Sequence, residues 1–298
     1  MNDPALSESP SAAVLEEGGP FAREFQGFHP RRAQQEMAAA VEYAIRDRVA
    51  LVAESGTGTG KTFAYLVPSL LSGGRVILST GTRHLQDQLF LRDIPAVREI
   101  LGAPAKIERL KGRANYLCLH RLDQSDGMLF QGVDEVRDLA RIRDWSTRTD
   151  TGDRSEVSGV ADDASVWGAL TTGAETCLGA KCDYIQECFV YKARKRAMAA
   201  DIVVVNHHLF FSDIALKDEG FGEVLPEYDC VIFDEAHLIP EIASQFFGFG
   251  FSSNQLKSLC RDIPVAEAAD KSGVALDTPV RELERAVNEV VLSVGAER

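Results

Sequence analysis

The sequence predicts an α/β fold whose parallel sheet is built around a phosphate-binding loop. Two observations carry that expectation: a glycine-rich run set between an apolar segment and a helical pattern, and an apolar run that ends in paired acids. Residues 53–62 read Ala-Glu-Ser-Gly-Thr-Gly-Thr-Gly-Lys-Thr. Val49–Val52 precedes the run as a short strand pattern, and Phe63–Leu71 follows it with helical spacing. Strand, loop and helix in that order let backbone N–H groups wrap a β-phosphate while the helix N-terminus adds partial positive charge. The nucleotide-binding candidates are Ser55, Gly56, Thr57, Gly58, Thr59, Gly60, Lys61 and Thr62. Lys61 would reach the β/γ oxygens and the Thr62 hydroxyl would hold Mg2+. Ser55 stands where Gly or Ala is usual, and serine is small enough to fit.

The second element, Tyr228-Asp-Cys-Val-Ile-Phe-Asp-Glu-Ala-His237, reads as a strand covered on both faces. Asp234 and Glu235 emerge at its C-terminal end, where open α/β sheets bind ligands. Asp234 suits a Mg2+ carboxylate, and Glu235 a group that orients and polarises the water attacking a γ-phosphate. A lone Asp-Glu pair is more often a solvated turn. Combined with Lys61 and followed by Ala236-His237, it reads as the Asp-Glu-Ala-His box of a superfamily 2 helicase.

At 298 residues the chain is long enough for one large or two ordinary domains. Its 45% apolar and 26% charged residues are those of a soluble globular protein, with no apolar run near the ~18 residues of a membrane span. The first ten residues lack the basic and apolar regions of a signal peptide, so a bacterial cytosolic chain is expected and its six cysteines are not read as disulfides. A net charge of −13 argues against a protein that coats nucleic acid by bulk charge. It leaves room for a local track. Basic residues gather at Lys106–Arg113 and Lys192–Arg196, where a solvated face is the simpler account.

Residues 1–20, rich in Pro, Ser, Ala and Glu, predict a disordered tail. Arg32–Ile45 has the apolar spacing of an amphipathic helix, and Val76–Ser79 reads as a strand after Gly73-Gly74. Thr80-Gly-Thr82 opens a helix, and the next apparent core strand is Ile202–Val205. A parallel crossover needs a dozen or so residues, so the stretch between them implies an insertion. Within it, Thr147–Ser165 is polar and small-residued, as in a mobile loop. Phe246–Phe251 is aromatic and suggests extended chain. Pro279 opens a helical pattern with Val280, Leu283, Val287, Val290 and Val294 on one face.

Cys118, Cys177, Cys182 and Cys188 all fall in the insertion, the last three as Cys-x4-Cys-x5-Cys. Four thiolates can hold a [4Fe–4S] cluster or Zn2+. Zinc sites favour two close pairs; that pairing is absent, and three clustered ligands with a distant fourth suit a cluster better. Cys230 and Cys260 sit in apolar surroundings and read as buried hydrophobes.

Together these segments resemble the iron–sulfur superfamily 2 DNA helicases of the XPD/DinG family, in particular their bacterial YoaA-like branch. Phe28-His-Pro-Arg31-Arg-Ala-Gln34 is similar to the family's adenine-recognising element, Ser55–Thr62 to motif I, and Ser79–Leu89 to the DNA-contacting motif Ia. Lys111–Cys118 resembles the start of the cluster domain, and Val205-Asn-His-His-Leu209 precedes motif II as in the family. The resemblance implies a RecA-like P-loop NTPase sheet (helicase domain 1) with an inserted iron–sulfur domain and the start of a mostly helical Arch domain. Implied boundaries are a tail at 1–20, helicase domain 1 at 21–105 and 196–241, the cluster insertion at 106–195 and a partial Arch domain at 242–298.

It further implies an ATP-dependent motor that moves 5′ to 3′ on single-stranded DNA in repair or replication, a monomer with no membrane partner. ATP, Mg2+ and a [4Fe–4S] cluster would be its cofactors. Gln34 would hydrogen-bond the adenine edge, supported by Arg31, while Phe28 would stack on the base or belong to the core. Lys61, Asp234, Glu235 and His237 would be the catalytic set, His237 coupling nucleotide to motion. Thr62 and Asp234 would hold magnesium, and Cys118, Cys177, Cys182 and Cys188 the cluster. Thr80, Thr82 and Arg83 would contact DNA phosphates, though helix capping is an equal account of the threonines.

The family's second motor domain, with its arginine finger, has no counterpart pattern here, so the expectation for this chain alone is weak ATP binding, little turnover and no unwinding. Residues 245–298 are expected to be poorly packed. Two other classes stay open at this point: a phosphate-loop ATPase or kinase acting on a small molecule or protein, and a redox-sensing or partner-docking module.

Overall fold

The computed structural model describes residues 8–25, 27–56, 58–125, 132–173, 176–218, 224–247 and 275–295, with isolated positions between 253 and 267. Two compact units divide the chain at Ala243–Ser244. The first opens with α1 (Pro10–Val14) and α2 (Pro20–Glu24), where composition led to a disordered tail. Proline at the first helical position and the Ser9 hydroxyl start α1. Ser9 Oγ and Ser11 N both donate to the Glu42 carboxylate on α3 (Arg32–Asp47). Leu15 and Phe21 are enclosed in the main core, a long-range burial that local composition does not encode.

After α3, residues 49–56 take no regular secondary structure and pair with no described strand, so the expected strand at Val49–Val52 does not form. Val52 is 98% exposed. An apolar run becomes a strand only where a neighbour completes its hydrogen-bond ladder, and no described segment does. The loop leads into α4 (Lys61–Leu71), then β1 (Val76–Thr80), α5 (Arg83–Gln88), a π turn at Leu89–Asp93 and α6 (Ile94–Leu101). Next comes β2 (Ile107–Arg109), a strand the sequence pattern hid because it is short, half-buried and two-thirds charged. The sheet therefore resumes well before residue 202, and an insertion boundary at 105/106 would cut off one of its strands.

Helices α7 (Leu119–Gln124), α8 (Val133–Ser146), α9 (Val166–Leu170) and α10 (Phe189–Met198) fill the connection from β2 to β3 (Ile202–Asn206). Then follow α11 (His207–Asp218), β4 (Cys230–Phe233) and α12 (Ile239–Phe247). The four strands are parallel, in the order β2-β3-β1-β4. This is the α/β class expected. β1 is buried throughout, and β3 at all but its last residue, as continuous apolar runs in parallel sheets are. β4 is half-buried at every residue rather than covered on both faces, because among the described residues it is paired on one side alone.

The insertion is clamped to the sheet by ions. Arg109 and Lys111 lie nearly closed to solvent between Asp87 of α5 and Asp153; Arg109 Nη2 and Lys111 Nζ are each 2.8 Å from Asp153. The basic run at Lys106–Arg113 is thus partly internal, not a solvated face. Gln86, fully buried, donates from Nε2 to the carbonyls of Leu110 and Val204, both at 2.8 Å. The Thr147–Ser165 stretch, expected as a mobile loop, is pinned by Asp153 and by Gly152. Gly152 adopts a left-handed φ of 65°, and a Cβ there would strike the Phe189 ring.

In the second unit, α13 (Asp277–Gly295) buries Val280 and Val287, while Val290 is exposed. Phe246 and Phe247 end α12 rather than start extended chain; residues 248–251 lie outside the described residues.

Candidate nucleotide-binding site

The loop from Ser55 to Gly60 has the backbone that its glycines permit: Gly58 and Gly60 take φ of 75° and 82°. At Gly60 a Cβ would collide with the Gln34 amide. Ser55, the departure from the usual Gly or Ala, donates to Thr59 Oγ1 (2.6 Å), which donates to the Gly56 carbonyl (2.9 Å). The extra hydroxyl braces the loop across its own turn. Lys61 begins α4 and folds back to donate to the Ser55 carbonyl (3.2 Å). Thr62 stands beside it in the first turn of α4, half-buried. Thr57 lies outside the described residues.

Two residues of the adenine candidate also hold the loop. Arg31 Nη1 donates to the Gly58 carbonyl and Gln34 Nε2 to that of Gly60 (2.9 Å). Gln34 is buried with its Oε1 unpartnered among the described residues. Phe28 is 5.4 Å from the Phe21 ring and packs against the core, so of its two readings the core one describes this structure.

Asp234 and Glu235 leave the end of β4 beside the loop helix. The Asp234 N–H donates to the Ser79 carbonyl (2.8 Å), which extends the β1–β4 ladder by one residue. Its Oδ1 accepts from the Glu235 N–H (3.1 Å) and its Oδ2 from the hydroxyl of Tyr65 on α4 (3.1 Å). Burial raises the Asp234 carboxyl above its usual range, and adjacent Glu235 adds to this against the opposing pull of Tyr65 and Lys61. Tyr65 is held well above an ordinary phenol by burial and then by Asp234. Glu235 adopts left-handed backbone, φ 57° and ψ 45°, a conformation that costs a non-glycine residue on the order of 1 kcal/mol or more. Its carboxylate is 3.3 Å from Nδ1 of His237, which is 70% exposed.

The DNA-contact candidates divide. Thr82 caps α5 by accepting from Leu85 N (3.2 Å), and Arg83 reaches Asn115 Oδ1 (2.8 Å) at the surface. Thr80 does not share that surface: it is buried, and its hydroxyl donates inward to the Thr82 carbonyl (3.1 Å). That corrects its assignment as a direct phosphate contact, since a strand residue between two partners turns its side chain into the sheet's cover.

Cys118, Cys177, Cys182 and Cys188 are half-buried free thiols. Cys118 and Cys188 cap the starts of α7 and α10. Burial pushes the Cys118 thiol up, and nearby Cys182 and Cys188 push it further. Arg194 of α10 is lowered by burial and by Arg113, while Cys177 and Cys188 act on it in the opposite direction. Cys118 thus lies near Cys182 and Cys188, and Cys177 and Cys188 lie near Arg194. Among the described residues, no three His, Cys, Asp or Glu side chains converge closely enough for a single ion. Cys260 is buried as expected, and Cys230 is half-buried. Pattern reading missed Tyr65, Arg194 and the Ser79–His207 pair described below. Tyr65 alone carried a signal, one helical turn beyond Lys61 on the same face.

Residues 173–256 match the DEAD_2 family model. The ATP-dependent DNA helicase YoaA of Haemophilus influenzae is 50% identical over 262 residues, 87% of this chain and 40% of that protein. YoaA of Escherichia coli is 49% identical, over 83% of this chain and 39% of its own. The ATP-dependent helicase DinG of Mycobacterium tuberculosis is 39% identical, over 70% of this chain and 34% of its own. A solved truncated XPD covers 84% of this chain and 63% of that chain at a TM-score of 0.43 and 16% identity, too distant to carry an argument. The chain spans about two fifths of the length of the YoaA proteins it matches. It belongs to the family of the YoaA and DinG helicases.

Proposed function

We propose that the chain is the nucleotide-binding part of an iron–sulfur superfamily 2 DNA helicase that hydrolyses ATP to move 5′ to 3′ along single-stranded DNA in the bacterial cytosol, as a monomer serving repair or replication. The observation that carries this reading is the meeting of the two halves of an ATP site: Tyr65, one turn beyond Lys61 on α4, hydrogen-bonds Asp234 at the end of β4. Lys61 releases the Ser55 carbonyl to take β/γ-phosphate oxygens. Thr62 and Asp234 would hold Mg2+, and the half-buried Asp234, with a lone pair free on each oxygen, suits a hard cation. When bound there, magnesium would neutralise charge on the β- and γ-phosphates. Glu235 orients the attacking water, and His237, within reach of Glu235 and open to solvent, reports nucleotide state to whatever closes over the site. Gln34 offers its unpartnered Oε1 to the adenine amino group, backed by Arg31. Arg83 and Thr82 supply the DNA-phosphate contacts.

The cysteines fit an iron–sulfur cluster better than zinc. Around one Zn2+ the sulfurs sit ~2.3 Å from the ion and hence close to one another. In a [4Fe–4S] cluster each thiolate takes a different iron, so they stand further apart. Three closely spaced cysteines with a distant fourth, rather than two close pairs, suit the second arrangement. When bound, the cluster would staple α7, α10 and the Cys177–Cys182 turn together. Domain roles follow: residues 21–105 and 196–241 form the motor, with β2 joined to it, the connection after β2 carries the cluster, and residues from 242 begin an Arch domain.

Phosphoryl transfer at such sites draws on an arginine from an opposing lobe, worth roughly 10³–10⁵ in rate. Turnover is therefore expected to depend on an arginine supplied from a lobe opposite this site. ATP hydrolysis stimulated by single-stranded DNA in the longer protein is the test. Hydrolysis indifferent to DNA would favour a phosphate-loop enzyme with another substrate, and about four irons and four sulfides per chain would support the cluster.

A further inference from the structure

His207 is the first residue of α11 and has no solvent exposure. Its Nδ1 lies 2.7 Å from the Ser79 hydroxyl, and its Nε2 is buried with no hydrogen-bond partner among the described residues. Buried polar atoms without a partner are rare in native structures, so this one points to a contact that a small movement completes.

The surroundings identify that contact. Ser79 sits at the centre of the sheet, in register with Val205 of β3 on one side and Phe233 of β4 on the other. Its hydroxyl holds His207 while its carbonyl accepts from Asp234 N. The His207 ring packs on Phe233 at 5.7 Å between centroids, immediately before Asp234 and Glu235. The ring also lies within reach of the Asp234 and Glu235 backbone. When the Ser79 O–H is the donor of this pair, Nδ1 accepts and the ring's proton is on Nε2, the tautomer tested below. That N–H then faces a turn whose Glu235 is in strained left-handed backbone.

We propose that His207 is a positioning residue: anchored by Ser79, it donates from Nε2 to the Asp234–Glu235 backbone and fixes the direction of the Glu235 carboxylate when the site closes on nucleotide. The role rests on the reading of Glu235 as the residue that orients water. It also ties that turn to Ser79, one residue before the Thr80–Arg83 segment that leads to the candidate DNA surface.

The test has two arms. Nitrogen-15 spectra of the 298-residue chain at neutral pH should show His207 as the Nε2–H tautomer; the Nδ1–H tautomer would overturn the proposal. In the full-length protein, His207→Phe should lower kcat for ATP about 100-fold, the scale of a misplaced catalytic group, with KM for ATP within threefold of wild type. His207→Gln, which restores a donor near Nε2, should regain at least tenfold. Ser79→Ala, a smaller change that guards against a misfolded Phe variant, should show a weaker loss of the same kind. Wild-type kcat in His207→Phe, or no rescue by Gln, would sink the positioning role. Lys61→Ala serves as the control: if it leaves hydrolysis intact, the ATPase reading fails and this role with it, whichever tautomer is found.

Discussion

On the β2 side of the sheet, Lys111 and Asp153 are 3% and 2% exposed and share a closed set of ion pairs with Arg109 and Asp87. On the β4 side every strand residue is half-exposed and the residues with chemistry to perform stand at the surface or just beneath it; the Val49–Val52 segment before the loop likewise pairs with no described strand. The contrast separates two uses of charge. On the closed side charges satisfy one another and hold an insertion in place. On the open side Lys61 rests on a loop carbonyl, Asp234 accepts from Tyr65 and the Glu235 N–H, and Glu235 lies 3.3 Å from the exposed His237. Substitutions on one side should therefore move stability, and on the other, activity.

The largest effect is expected at Lys61. Lys61→Ala in the full-length protein should lower ATP turnover by about 10³-fold or more, as loss of a group aimed at developing charge does. Because the ammonium contributes one hydrogen bond to the folded chain, the melting temperature should change little. A large drop in thermal stability with modest loss of turnover would erase the distinction between the two sides.

Asp153→Ala should do the reverse. Removing one partner of a buried pair leaves Arg109 and Lys111 under-compensated, at a cost of about 3–5 kcal/mol in unfolding free energy. Denaturant unfolding of the 298-residue chain measures it. A change below about 1 kcal/mol would mean that Asp87 alone satisfies both cations.

Acid should reach the same cluster. Burial pushes the Asp153 carboxyl up, but Lys111 and Arg109 outweigh it, and the group titrates below its ordinary 3.8. Its folded value being the lower one, its contribution is complete above pH 3.8, declines as pH falls through that value, and is lost below the folded value. Asp153→Asn should flatten the stability profile in that window; an unchanged acid limb would assign it to other carboxylates.

Legibility in the sequence follows the same division. The loop, α4, β1, β3 and the strand ending in Asp234 could be read because each is a local pattern of apolar period or glycine spacing. Val49–Val52 carried the same local signal and misled, since strand formation depends on a neighbour the pattern does not name. β2 was hidden by brevity and charge, and α1 by a composition that concealed the burial of Leu15 and Phe21. The site's internal wiring was not legible at all: Tyr65 meets Asp234 across 169 residues and Ser79 meets His207 across 128. Only folding creates those pairs, whereas the residues that would touch nucleotide lie in short runs.

The smallest effect is expected at Val52, and it examines the open side directly. In the 298-residue chain the side chain is 98% exposed and its segment pairs with nothing. Val52→Ser removes apolar surface already in contact with water, so unfolding free energy should change by no more than about 0.5 kcal/mol, the usual range for surface substitutions. A loss of 2 kcal/mol or more would mean that residues 49–52 are covered in solution. The same substitution in a protein of the relatives' length then becomes informative: a cost there but not here would show that further chain covers this segment. Strain on the loop that follows Val52 should then also appear as weaker ATP binding. Equal, negligible costs in both would make the exposed segment a property of the fold itself, with the phosphate loop held by Arg31, Gln34 and its own hydroxyls rather than by the sheet.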